Sequence, residues 1–60
     1  MSDGGVVVLG ADADAVADRV AELRAEGRRA AGFVGSPEDR AAAEAMATEL
    51  FGPDAAVFSL

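Results

Sequence analysis

The side chains that could carry chemistry in this 60-residue chain are few. It has no histidine, cysteine or tyrosine, and all five of its basic residues are arginines. Histidine as a general base, the thiol nucleophile and the best zinc ligands are therefore missing. Ser36 and Ser59 have no base beside them in the sequence, and Ser36 stands where a helix cap is expected. We therefore do not expect the isolated chain to be a catalyst.

Charged residues offer two further candidates. Four carboxylates recur every four residues and would share one helix face, where a metal or a basic partner could bind: Asp14, Asp18, Glu22 and Glu26. A solvated face is the favoured interpretation, with Arg19 offsetting part of the repulsion between like charges. The pair Arg28-Arg29 could hold an anion, but its place after a helix favours the simpler role of complementing the helix dipole.

Three short apolar runs, at 6–10, 30–35 and 55–60, predict the strands that must position these residues. The first run, "VVVLG", is rich in β-branched residues and continuously apolar, which is typical of a strand covered on both faces.

Two helical patterns separate the predicted strands. The first can begin at Asp12 or Asp14 and ends at Gly27, a favoured left-handed residue after a helix. Its apolar stripe is Val16, Val20 and Leu23. The second begins with Ser36 as cap, Pro37 at its first position and Asp39 three residues after the cap, which predicts a capping box. Its predicted buried stripe is Ala43, Met46, Ala47 and Leu50, and Gly52-Pro53 ends it.

The β-α-β-α-β order predicts a single α/β unit over residues 1–60: a three-stranded parallel sheet with two helices, half-Rossmann-like. Such a small domain has marginal stability, and two helices do not readily cover both faces of an apolar sheet. An uncovered face or edge favours association. We therefore expect a homo-oligomer or a completing protein chain as partner.

Charge and hydropathy exclude other classes of partner. A net charge of −6 opposes nucleic acid, because phosphate contacts need clustered cations. No continuous apolar run is longer than that of Val6–Leu9, which is too short to cross a membrane. The opening "MSDGG" lacks the basic and apolar regions of a signal peptide, so a cytoplasmic location is expected.

Two segments, "ELRAEGRRA" and "VGSPEDRAAAEAM", resemble the short-chain dehydrogenase/reductase family, whose members are NAD(P)-dependent oxidoreductases. In one alignment, the stretch "VVVLGADADAVADRVAELRAEGRRAAGFVGSPED" resembles the family's second strand, the following helix and its third strand, and the two segments are the closest matches. This chain would then carry Ser36-Pro37 where the family usually has an Asp-Val pair that contacts adenine. It has Ala11 at the position where the family often has an arginine that binds the NADP phosphate. Asp12 could at most contact a ribose hydroxyl.

In a second alignment, "VVVLGADADAVADRVAELRAEG" resembles the family's first strand and its dinucleotide-binding turn. Gly10 and Ala11 match the start of that motif, whereas Asp14 and Val16 replace its later glycines, which normally let the backbone approach the pyrophosphate. This alignment gives three contiguous strands, whereas the first leaves a vacant slot in the sheet. Both alignments remain open at this point.

The resemblance implies a truncated or remnant NAD(P)-binding module. Its family's catalytic tyrosine and lysine have no counterpart here, so it would bind NAD or NADP weakly or not at all and would not be catalytic alone. Any nucleotide would lie at the carboxyl ends of the first two strands. The implied cofactor-binding residues are Gly10, Ala11, Asp12, Gly35 and Ser36.

Two alternative hypotheses about the function involve no cofactor. "GPDAAVFSL" looks like the third strand of a response-regulator receiver domain. That resemblance would place the phospho-accepting aspartate at Ser59 and the acidic pair at Gly10-Ala11, so phosphorylation would be lost and a protein-interaction role would remain. The other reading is an oligomerising α/β protein without a ligand.

Overall fold

The computed structural model describes residues 4–60. The strands are β1 (Val6–Gly10), β2 (Ala30–Val34) and β3 (Ala56–Ser59). The helices are α1 (Ala13–Ala25) and α2 (Arg40–Phe51), with one 3₁₀ turn, Pro37–Asp39, leading into α2. The predicted α/β class, element order and parallel pairing are confirmed.

Strand β1 lies in the middle of the sheet, whose order is β2-β1-β3. It pairs with β2 from Val6↔Ala30 onward and with β3 from Val6↔Ala56 onward. The vacant slot of the first alignment is thus absent from the sheet over residues 4–60, because β1 bonds β3 directly. The strands are contiguous, as the second alignment requires. However, the first strand is central, as in flavodoxin-like doubly wound sheets, whereas the dinucleotide-binding order 3-2-1 would place the second strand there.

The two helices cover opposite faces of the sheet. The chain crosses the sheet in one direction from β1 to β2, and in the opposite direction from β2 past β1 to β3. Because both crossovers are right-handed, the two helices lie on different faces. On one face, the predicted stripe of α1 packs on Val8 and Ala30. On the other, Ala43 and Ala47 of α2 pack on Val7 and Leu9. Val7 and Val8 are fully buried, which confirms that β1 is covered on both faces.

Sequence reasoning was wrong about two positions of the α2 stripe. Met46 is only half-buried and is not part of the core cluster on this face. Leu50 is 51% exposed, and the neighbouring Phe51 packs against the core instead. The contact line therefore runs through Ala43, Ala47 and Phe51, one residue every four. Phe51 fits because Gly5, just before β1, has no side chain: a Cβ there would overlap the Phe51 ring.

Local signals at the helix ends are confirmed in detail. Asp12 caps α1, its Oδ1 accepting the N–H of Asp14 at 3.0 Å. Gly27 has the predicted left-handed conformation, with φ of 85°. The N–H of Arg28 reaches the Leu23 carbonyl at 3.0 Å, which closes the last turn of α1 in a Schellman motif.

Candidate functional site

A crevice opens at the carboxyl ends of the strands. It lies between the loop that leads from β1 into α1 and the turn that leads from β2 into α2. Its volume is about 240 Å³. In doubly wound sheets, ligands bind outside the carboxyl ends of the strands at the point where the strand order reverses. Here that point lies between β1 and β3. The lining residues are Leu9, Gly10, Ala11, Gly35, Pro37, Arg40, Ser59 and Leu60.

Three of the five predicted cofactor-binding residues, Gly10, Ala11 and Gly35, line this crevice. A backbone hydrogen bond from the Gly35 N–H to the Gly10 carbonyl, at 2.9 Å, joins the ends of β2 and β1. The two loops that follow these strands therefore stand side by side, as the sequence predicts. Ala11 is exposed at the mouth of the crevice.

The other two predicted residues, Asp12 and Ser36, lie outside the lining and serve as helix caps. The Ser36 N–H donates to Asp39 Oδ2 at 3.0 Å, and the Ser36 side chain faces the Asp39 N–H; together these form the predicted capping box. A backbone hydrogen bond from the Asp39 N–H to the Ser36 carbonyl, at 2.9 Å, closes the same turn. The Asp12 carboxylate accepts from Asp14, so the α1 N-terminus already holds an anion of the protein itself. That arrangement disfavours a phosphate at this helix end.

Both glycines at the crevice have packing reasons to be glycine. A Cβ on Gly10 would lie 2.8 Å from Val16 Cγ2 and 3.0 Å from Leu60 Cδ1. A Cβ on Gly35 would lie 2.5 Å from Asp39 Oδ2. Close packing of helix on strand is one role of glycine in dinucleotide-binding turns. Gly10 therefore serves the fold whether or not a nucleotide binds.

Sequence reasoning missed Arg40, which is the charged residue of the lining. Its Nη1 donates to Ser59 Oγ at 3.2 Å, and its Nε pairs with Glu44 Oε2 at 3.3 Å. A usable signal was present, because Arg40 is the first basic residue after the second strand, and the residues that follow parallel strands meet at one edge of the sheet. The hydrophobic members Leu9, Pro37 and Leu60 carry no comparable signal.

The other charged candidates lie apart from the crevice. All four carboxylates of the acidic stripe are exposed, and within residues 4–60 no cluster of carboxylates is suited to a metal ion. Of the basic pair, Arg28 is exposed, and the guanidinium of Arg29 lies 5.4 Å from the centre of the Phe51 ring. Among the described helices, none is long and apolar enough to cross a membrane.

Comparisons with protein-family models, with curated proteins and with solved structures gave no match for this chain.

Proposed function

We propose that this chain is a non-catalytic binding module that holds a nucleotide of the NAD(P) class weakly in the crevice at the carboxyl end of the sheet. One observation carries the proposal: Gly10, Ala11 and Gly35, chosen from sequence, line one crevice at the reversal of strand order. The resemblance to short-chain dehydrogenases/reductases supports the same class of ligand.

The lining suits an uncharged ring better than a chain of phosphates. It is made mostly of small and apolar residues, against which a nucleoside can pack. Asp12 and Asp14 stand at the start of α1, where a pyrophosphate would have to bind. Their negative charge explains why binding of a whole dinucleotide should be weak.

A titration with NAD⁺ and NADPH, followed by protein NMR, tests this proposal. We expect saturable shifts at the amides of Gly10, Ala11 and Gly35. Ala11→Leu, at the mouth of the crevice, should weaken binding of the nucleotide because the larger side chain fills part of the crevice. Ala17→Leu, at an exposed position of α1, is the matched control. A folded chain that shows no shift up to millimolar ligand would refute the proposal.

A second candidate function is self-association, and the exposed side of β3 favours it. Phe58 is 43% exposed and Leu60 56% exposed. Phe58 pairs in register with Val8, so its side chain shares the α1 face of the sheet. Helix α1 packs mainly on β1 and β2. Over this part of β3 it places the guanidinium of Arg19, 4.9 Å from the centre of the Phe58 ring, and the ring remains partly exposed.

We propose a second copy of the chain as the partner for this surface. The outer edge of β3 has no neighbouring strand within residues 4–60, so a second β3 could pair with it. Sedimentation equilibrium over a range of concentrations tests this candidate. A monomer at every concentration would exclude it.

A further inference from the structure

Arg40 brings a positive charge to the crevice. It is the first residue of α2 and follows the 3₁₀ turn Pro37–Asp39 that leads into this helix. Of the chain's five arginines it alone lines the crevice. Its side chain is 55% exposed, so burial of its aliphatic part does not explain the position. A negatively charged group in the crevice could pair with this guanidinium.

The present partners of Arg40 hold it loosely. Hydrogen bonds from a guanidinium to an anion are commonly about 2.7–2.9 Å long. The distance to the Glu44 carboxylate, at Oε2, is longer, 3.3 Å, and the second acceptor, Ser59 Oγ at 3.2 Å, is neutral. A guanidinium carries five N–H donors, and these two contacts use two of its nitrogen atoms. A phosphate could therefore displace Ser59 and take two parallel hydrogen bonds.

Size and charge limit what else the ligand contains. About 240 Å³ is below the usual range of roughly 300–1,000 Å³ for pockets that enclose a drug-sized molecule. It leaves room for one ring system and its sugar. The N-terminus of α1, which could otherwise attract a second phosphate, carries the carboxylates of Asp12 and Asp14.

We propose that the crevice selects a nucleoside monophosphate, with the nucleoside against the apolar lining and the single phosphate on the guanidinium of Arg40. This inference rests on the proposed function and deepens it. Arg40 is then the specificity-determining residue, and Glu44 weakens binding because it competes with the phosphate for the same guanidinium.

Four probes test this assignment: AMP, adenosine, inorganic phosphate and NAD⁺. Affinities come from the shifts of the Gly10, Ala11 and Gly35 amides. We expect the wild-type chain to bind AMP about tenfold more tightly than adenosine, the effect of one charge-assisted contact. Inorganic phosphate alone should bind more weakly than AMP, because it lacks the apolar contacts. NAD⁺ should bind no more tightly than AMP.

Three variants separate local from general charge effects. Arg40→Gln should abolish the preference for AMP over adenosine. Glu44→Gln should increase that preference, since it frees the guanidinium. Arg28→Gln removes the same charge from an exposed position outside the crevice lining and should leave the preference unchanged. Circular dichroism confirms that each variant is folded.

The outcomes distinguish this inference from the proposed function. If AMP and adenosine bind equally and shift the same amides, the nucleoside site stands and the role of Arg40 is overturned. If NAD⁺ binds more tightly than AMP, the limit to one phosphate is wrong. If none of the four probes shifts these amides, both proposals fail. If Arg40→Gln and Arg28→Gln lose the preference for AMP over adenosine equally, the preference comes from net charge, and the role of Arg40 is overturned.

Discussion

Val16 Cγ2 lies 2.8 Å from the point that a Cβ on Gly10 would occupy. Gly10 ends β1, and Val16 is buried on the facing side of α1. The missing side chain lets the helix approach the strand closely at the base of the crevice. This contact links the packing of α1 to the shape of the candidate site.

Gly10→Ala should destabilise the chain by about 1–3 kcal/mol, because the added methyl group overfills a close contact. Gly10 is not among the glycines with positive φ, so overpacking is the expected cause. In a Val16→Ala background the same change should cost less, since the clashing methyl groups are gone. Urea unfolding of the four chains gives the coupling free energy. An equal cost in both backgrounds would contradict the packing explanation.

Asp39→Ala should destabilise the chain by about 1 kcal/mol through loss of the capping box. The Asp39 carboxylate accepts a hydrogen bond from the Ser36 N–H at 3.0 Å, and the alanine side chain has no acceptor to replace it. Glu38→Ala is the matched control: it removes a negative charge from the same turn but no capping contact. Thermal unfolding of both variants measures the difference. Equal losses would mean that charge near the helix end, not the hydrogen bond, is responsible.

Val8→Ala should destabilise the chain by about 2 kcal/mol, from lost burial and the cavity left behind. Val8 is fully buried beneath α1. A domain of this length is expected to have a total stability of only about 3–9 kcal/mol, so the change should be conspicuous in urea unfolding. Val34→Ala, at a residue that is 54% exposed, should have little effect. Similar losses at both positions would argue against the observed packing of β1.

Phe58→Glu should prevent self-association, if the exposed side of β3 is the contact surface. A carboxylate there would be desolvated in the interface, at a cost of several kcal/mol per ion. Leu50→Glu provides the matched control, because Leu50 is similarly exposed but lies on α2. Sedimentation equilibrium should show dimers for wild type and Leu50→Glu and monomers for Phe58→Glu. Dimers that persist in Phe58→Glu would place the interface elsewhere.

Local signals determined the elements of this protein well. The run Val6–Gly10 forms the predicted strand, covered on both faces, with its predicted bounds. Gly27 and the Ser36–Asp39 box end one helix and begin the next, because backbone conformation and capping depend on only a few neighbouring residues. The β-α-β-α-β order, with the right-handed crossover rule, was enough to predict the parallel α/β class.

Tertiary structure decided what the sequence left open. Strand order depends on which edge of β1 each crossover reaches, and helical periodicity carries no information on that choice. The strand order put α1 and α2 on opposite faces and left Phe58 exposed beyond α1. Phe51, rather than Leu50, completes the α2 contact because Gly5 leaves space for its ring.

For the candidate site too, some residues could be predicted from the sequence and others only from the tertiary structure. Gly10, Ala11 and Gly35 could be chosen from sequence, because the residues after parallel strands meet at one edge of a sheet. Arg40 and Ser59 are 19 positions apart, and only the folding of β3 beside β1 brings them together across the crevice. Sequence alone determined which loops form the site, and the packed sheet determined which charge faces it.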